Sequence, residues 1–289
     1  MGKYKPSSTL LYGDAGAGKT ALGISSFWDW KAQALVAKGK FITFGGEDNP
    51  ALNIPEECRE LRGPNGERLS LRLTSPSLDS PRFLHEFRTI MNTLLAAAVN
   101  GVTLDSLVID SVTELDLLFE ATYARDESNN FEMWNALLAE FFAIMMRCNY
   151  DALKCAVIMT ARVMERRKAG QTKKGATAGD PTFQDFNYYP SLRGSFRHQL
   201  PHYFNNVWYM QTGSATYQDR IVPVHIVNMY RTGDFYVKNH WEHLWLAAGK
   251  PAQVLNPMWV KLWGDLTGVM GTTQTTESGD SATYEDVSQ

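Results

Sequence analysis

Cysteine is scarce in this chain, and its placement argues against two common kinds of site. The 289 residues include three cysteines, Cys58, Cys148 and Cys155, and no two of them form a C-x-x-C pair. An odd number without a spacing pattern argues against a disulfide framework and against a cysteine zinc site. The six histidines also lack the spacing of metal ligands. We therefore expect free thiols in a reducing compartment.

Long apolar runs and a strong excess of one charge are also missing. Polar residues interrupt every apolar stretch well before the roughly 18 residues that cross a bilayer, and no signal-peptide core follows the polar residues 1–8. The formal net charge is −3, so any attraction to nucleic acid must come from a local patch. We expect a cytoplasmic protein with no membrane partner.

The chain does contain short apolar runs separated by helix-length segments. Buried strands are predicted for residues 9–12, 41–44, 107–109 and 155–159. Helices are predicted for residues 20–35, 81–99, 131–148 and, near the end, 252–269. Later hairpin-connected strands are predicted for residues 207–211, 221–229 and 234–237. Strands alternating with helices indicate an α/β fold with a mostly parallel central sheet flanked by helices.

Two segments differ in composition from the rest. Residues 162–180 are basic and rich in Gly, Ala and Thr, which predicts a mobile loop. Residues 271–289 are rich in Thr, Ser and Gly and contain four acidic residues but no Lys or Arg, which is typical of a disordered acidic tail. We therefore predict one domain over residues 1–270, followed by that tail.

A glycine-rich motif follows the first predicted strand. Gly13-Asp14-Ala15-Gly16-Ala17-Gly18-Lys19-Thr20 matches G-x-x-x-x-G-K-[ST] at every fixed position. Glycines let the backbone wrap a phosphate with its N–H groups pointing inward, and the following helix adds its positive end. Lys19 would reach the β- and γ-phosphates of ATP, and Thr20 would bind Mg²⁺. The predicted nucleotide site also includes the next helical residue, Ala21.

An acidic residue ends the third predicted strand. Asp110 follows Leu107-Val108-Ile109, the Walker B arrangement in which a carboxylate holds Mg²⁺. The alternative for Asp110, with Ser111, is a helix cap. Hydrolysis also needs a group that positions water, and Glu47, just after the second strand, is the predicted catalytic residue. Asp48 and Glu114 are the other candidates for this role, and the alternative is that the acid is a solvated loop residue or a helix cap.

These motifs resemble those of the RecA/RadA superfamily of P-loop ATPases, over about residues 8–240. More narrowly, the segments Tyr189-Pro190-Ser191-Leu192-Arg193-Gly194 and Phe204-Asn205-Asn206-Val207 look like those of phage-encoded nucleotide-binding ATPases, some of which act in single-strand DNA recombination. The resemblance implies a RecA-like core, ATP and Mg²⁺ as ligands, and a role for Glu47 in activating water. It also implies that the polar residue closing the strand after Walker B, here Thr160, senses the γ-phosphate.

The resemblance further implies self-association into a ring or filament. Relatives carry a Lys-x-Arg motif on a late strand that enters the neighbouring subunit's ATP site. This chain has Lys238-Asn239-His240, so Lys238 matches and is expected to act in catalysis, but His240 replaces the arginine. Because histidine lacks the guanidinium fork, strong activation between subunits is in doubt. Arg231 is a possible substitute.

The loop after the Thr160 strand contacts DNA in RecA-like proteins. Here it carries a basic cluster, expected to bind single-stranded DNA: Arg162, Arg166, Arg167, Lys168, Lys173 and Lys174. The aromatic residues just after it could stack on unpaired bases, or they could belong to the core beside a solvated charge run.

Three functions therefore remain open. The first is a DNA-acting ATPase in phage recombination or replication. The second is an ATP-switched assembly protein that binds protein and not DNA, with other phage replication or recombination proteins as candidate partners. The third, a small-molecule kinase, lacks a second substrate motif.

Overall fold

A mostly parallel β-sheet forms the centre of this protein. The computed structural model describes residues 7–44, 54–63, 65–73, 82–123, 130–165, 188–192, 199–230, 235–259 and 261–262. The six strands that run parallel are, in sheet order, β7 (Arg72–Leu73), β4 (Gly39–Phe44), β8 (Ser106–Asp110), β9 (Ala156–Glu165), β1 (Ser8–Gly13) and β11 (Asn206–Tyr217). All residues of β1 and β8 are buried, as expected for parallel strands covered on both faces.

Antiparallel strands extend this sheet. The hairpin partner of β11 is β12 (Arg220–Asn228), which pairs in turn with β14 (Gln253–Leu255). Two shorter strands, β10 (Tyr188–Pro190) and β13 (Lys238–Asn239), pair with β9 and β11 respectively. Two small hairpins lie outside the sheet: β2 (Trp28–Asp29) with β3 (Ala34–Leu35), and β5 (Glu60–Arg62) with β6 (Arg68–Ser70).

Six α-helices are assigned within the described ranges. They are α1 (Lys19–Ile24), α2 (Arg82–Val99), α3 (Val112–Tyr123), α4 (Asn130–Arg147), α5 (Tyr150–Leu153) and α6 (Glu242–Ala247). The long helices pack through their apolar faces. Phe87 of α2 contacts Phe44 of β4 edge-on, with ring centroids 5.5 Å apart. The ring centroids of Phe119 in α3 and Phe141 in α4 are 5.8 Å apart. Within this part of the chain, no helix has the length and apolar character to span a membrane.

The α/β class and the mostly parallel sheet are confirmed, and so are the helices over most of residues 81–99 and 131–148. The helix predicted for residues 20–35 is wrong beyond Ile24. Asp29 accepts hydrogen bonds from the backbone N–H groups of Lys31 at 2.8 Å and Ala32 at 3.1 Å, which closes a turn between β2 and β3. Such local side-chain bonds compete with a continuing helix.

Three further boundaries differ from the sequence predictions. Strand β9 continues to Glu165, so residues 162–165 are not a loop; pairing with β10 gives this extension its hydrogen-bond partners. Residues 253–255 form β14, because they pair with the edge of β12, so the helix predicted for 252–269 is wrong there; Trp259, Lys261 and Leu262 are helical. The late strand predicted at 234–237 lies instead at Lys238–Asn239. The remainder of the basic segment, 166–180, and the tail, 271–289, lie outside the described residues.

Candidate functional site

The glycine-rich motif forms the turn between β1 and α1. At Gly13 the chain passes very close to β11, since a β-carbon there would lie 1.9 Å from the carbonyl oxygen of Met210. Gly18 caps α1 with φ of 84°, the left-handed region that favours glycine. A side chain would therefore disturb the turn at both positions, by close approach at the first and by conformation at the second.

Lys19 begins α1 and turns back over the loop. Its ammonium donates hydrogen bonds to the carbonyl oxygens of Gly13 at 2.8 Å and Asp14 at 2.6 Å. The cation is therefore held at the mouth of the loop, where a phosphate would meet both it and the loop's N–H groups.

Three of the predicted residues, Thr20, Asp110 and Thr160, form one hydrogen-bonded group. The carboxylate of Asp110 accepts from the Thr20 hydroxyl at 2.7 Å and also from the Thr160 hydroxyl. The group forms because β9 lies between β1 and β8, so Thr160 reaches Asp110 from the neighbouring strand. Asp110 is 8% exposed and Thr160 is buried. The carboxyl end of the sheet thus places these side chains directly behind the phosphate loop.

The capping role belongs to Ser111, the next residue. Its Oγ accepts a hydrogen bond from the backbone N–H of Glu114 at 3.2 Å, in the first turn of α3. Asp110 itself accepts hydrogen bonds on the loop side, from Thr20 and Thr160. The peptide bond between Asp110 and Ser111 is cis.

The oxygen atoms at this point suit a Mg²⁺ ion bound to a nucleotide. One hydroxyl and one carboxylate converge on one another, both hard oxygen ligands. Mg²⁺ usually takes one or two protein ligands and completes its shell with phosphate oxygens and water. Thr20 and Asp110 would hold such an ion.

A cavity of about 650 Å³ opens in front of this group. Its polar walls include Lys19, Thr20, Asp110, Thr160 and Arg162, and its apolar walls include Ile24, Trp28 and Leu35. Trp28 and Leu35 face each other across the β2–β3 hairpin. The cavity walls thus combine charged and apolar side chains, and a nucleotide needs both, for its phosphates and for its base.

Among the cavity residues that the sequence does not assign to the nucleotide site, two have ionisable side chains, His225 and Arg162. His225 of β12 lies so close to the loop that a β-carbon at Gly18 would be 2.9 Å from its imidazole. Arg162, predicted to contact nucleic acid, lines the cavity and forms an ion pair with Glu114. No local signal marks His225, because it reaches the loop only through the pairing of β12 with β11.

Lys238 is held within its own chain. Its ammonium donates a hydrogen bond to the carbonyl oxygen of Phe204 at 2.5 Å, and partial burial lowers its pKa below the usual lysine value. His240, in the position of the expected arginine, is exposed and its backbone N–H donates to Asn206. Action of Lys238 on a neighbouring subunit stays a prediction.

Several predicted residues lie outside the described part of the chain. They are Glu47, its rival Asp48, the possible substitute Arg231, and the basic residues Arg166, Arg167, Lys168, Lys173 and Lys174. The third candidate for positioning water, Glu114, is described and is paired with Arg162.

No protein-family model matches this chain, and no curated protein matches it.

Proposed function

We propose that this protein is a RecA-like P-loop ATPase that binds ATP with Mg²⁺ in the cavity and hydrolyses it. The observation that carries the proposal is the hydrogen-bonded group of Thr20, Asp110 and Thr160 behind the Gly13–Gly18 turn. Thr20, at the end of a complete phosphate-loop motif, is thereby joined to an acidic residue and a threonine. Asp110 lies 90 residues and Thr160 lies 140 residues further along the chain.

Each part of the group has a chemical task. The loop N–H groups and Lys19 would bind the β- and γ-phosphates, while Thr20 and Asp110 would hold Mg²⁺. Thr160 would sense the γ-phosphate of ATP through its hydrogen bond to Asp110. Glu47 would position the attacking water, with Glu114 as its described rival. The apolar walls formed by Ile24, Trp28 and Leu35 would accept the base.

The partner of this ATPase, on our proposal, is single-stranded DNA in recombination or replication. The basic residues that follow β9 support it, because five Lys and Arg lie between positions 166 and 174 of a chain whose net charge is −3. A local cluster of this kind binds phosphates with salt-dependent affinity. ATP would sit between subunits of a ring or filament.

One observation favours a second candidate, an ATP-switched assembly protein that binds protein. The Lys238 ammonium is bonded to Phe204 of its own chain, and His240 stands where relatives use arginine. A poorly equipped interface between subunits would give slow turnover, which suits a switch better than a motor.

The test is steady-state ATP hydrolysis at low salt, with and without single-stranded DNA. The wild type is compared with Lys19→Ala and with a control variant, Lys154→Ala. Lys154 lies just before the amino end of β9, whereas the later residues of that strand line the cavity. Hydrolysis that rises with DNA and disappears only in Lys19→Ala supports the DNA-acting ATPase. Lys19-dependent hydrolysis that ignores DNA supports the assembly switch. Absence of hydrolysis in the wild type would contradict both.

A further inference from the structure

Arg162 lies beside the phosphate loop, on the strand that carries Thr160. In the parallel pairing of β9 with β1, Arg162 is opposite Gly13, the first residue of the motif. Side chains two residues apart on a strand point to the same face, about 6.5–7 Å apart. Arg162 is therefore presented on the face where Thr160 meets Asp110, and both residues line the cavity.

The main chain of Arg162 is anchored on two sides. Its N–H donates to the Thr113 hydroxyl at 3.0 Å, and its carbonyl oxygen accepts from the Ser191 N–H at 2.7 Å. The Thr113 hydroxyl in turn donates to the Ser191 carbonyl at 3.0 Å. The side chain is 55% exposed. A long, exposed cationic side chain thus extends from a fixed base and can change partners without moving the strand.

One partner of Arg162 is the carboxylate of Glu114. Glu114 stands in the first turn of α3, four residues after Asp110, and its side chain is 23% exposed. An ion pair exposed to this extent contributes little to the free energy of folding, because water screens it. The terminal phosphate of ATP carries more charge than a carboxylate and matches the guanidinium fork, so it would compete successfully for Arg162.

We propose that Arg162 senses the nucleotide state: its guanidinium pairs with Glu114 when ADP is bound and binds the γ-phosphate when ATP is bound. This inference rests on the proposed binding of ATP in the cavity. It supplies from the same chain a cation of the kind that the resemblance expects from a neighbouring subunit. It also assigns Arg162 to the nucleotide and separates it from the basic residues 166–174.

The test measures the affinities of two nucleotides, ADP and a non-hydrolysable ATP analogue, by competition against a fluorescent nucleotide. Both are measured with Mg²⁺, and hydrolysis does not enter because the analogue cannot be cleaved and ADP has no γ-phosphate. For Arg162→Ala, we expect analogue affinity to fall about ten- to a hundredfold, the range for a hydrogen bond to a charged group, while ADP affinity is retained. Arg162→Lys keeps the charge without the fork and should recover part of the loss.

Glu114→Gln provides the opposite change. The amide has the shape of the carboxylate but no charge, so the ion pair with Arg162 is lost, and we expect analogue affinity to rise about two- to fivefold. In the Arg162→Ala background the same substitution should have no effect. The control is Arg88→Ala, which removes an ion pair of the same kind between α2 and α4, with Arg88 Nε 2.6 Å from Glu140.

The outcomes separate the two proposals. If the wild type binds neither nucleotide, ATP binding itself is wrong. If the wild type binds both and Arg162→Ala keeps the wild-type ratio of the two affinities, the sensor is wrong and the ATPase stands. Equal weakening of both nucleotides by Arg162→Ala, with unchanged thermal unfolding, would also overturn the sensor, since it indicates general phosphate attraction.

Discussion

The hydroxyl of Thr20 donates a hydrogen bond to the carboxylate of Asp110 at 2.7 Å, although 90 residues separate them in sequence. This contact ties the first turn of α1 to the end of β8. Both residues line the cavity, so the last residue of the glycine-rich motif and the acid of the third predicted strand lie at one place. The proposed Mg²⁺ site depends on that convergence.

Removing the charge of Asp110 should weaken Mg²⁺ binding more than it weakens the fold. Asp110→Asn keeps the size of the side chain and can still accept from a threonine hydroxyl, but it is a much poorer ligand for a hard cation. We expect the Mg²⁺ concentration for half-maximal ATP hydrolysis to rise at least about tenfold. A Mg²⁺ titration of activity measures this. Asp151→Asn, exposed on α5, is the control, and an unchanged titration curve in Asp110→Asn would exclude its role as a ligand.

Gly13→Ala should destabilise the folded protein because the new methyl group would meet backbone. The nearest atom is the Met210 carbonyl oxygen, 1.9 Å away, and β11 cannot retreat without breaking its pairing with β1. We expect a loss of about 1–3 kcal/mol or more in the free energy of unfolding, measured with urea. Gly16→Ala is the comparison: no described heavy atom lies within 4 Å of its β-carbon, so its cost is that of a φ of 76°. Equal losses in the two variants would contradict this account.

Gly18→Ala should impair nucleotide binding, in part through His225. The added β-carbon would lie 2.9 Å from the imidazole and displace it, and that imidazole belongs to the cavity wall. Alanine also carries a conformational cost at φ of 84°. We expect the double variant Gly18→Ala, His225→Ala to recover part of the affinity that Gly18→Ala loses. In Gly16→Ala the same histidine substitution should restore nothing. Affinity for a fluorescent ATP analogue measures both, and the absence of any recovery would show that conformation alone is responsible.

Cys148 and Cys155 should resist thiol reagents while the protein is folded. Burial raises the pKa of each thiol to about 12, so at pH 8 both remain protonated, and the thiolate is the reactive species. In the unfolded chain their pKa returns to about 8.5. A colorimetric thiol reagent should therefore label them slowly in buffer and quickly in urea. Rapid labelling of native protein at either cysteine would be inconsistent with its burial.

The same shift predicts sensitivity to base. Since the folded state binds the thiol protons more tightly, stability is fully present below about pH 8.5 and decreases as the pH rises towards 12. Urea unfolding at pH 8 and pH 10 measures the loss. Replacing both cysteines by alanine should reduce the difference between the two pH values, whereas an unchanged difference would assign it to other groups.

Much of the fold could be predicted because it rests on local patterns. The buried runs around Leu10, Ile42, Val108 and Ile158 became neighbouring strands, and α2 and α4 follow their apolar periodicity. The end of α1 could not be predicted in this way. Residues 25–35 have spacing compatible with a helix, but the Asp29 turn and the β2–β3 pairing prevail.

The sequence by itself determined the phosphate loop, because that motif is contiguous and its chemistry depends on the order of Gly, Lys and Thr along one turn. It also identified Asp110 and Thr160 as residues that end or lie within buried strands. Only the tertiary structure decided that β9 lies between β1 and β8, which brings Thr160 to Asp110 and Arg162 to Gly13. It likewise placed His225 against Gly18. Strand order depends on which strands form hydrogen bonds with each other after each crossover connection. No local pattern along the sequence specifies those pairings.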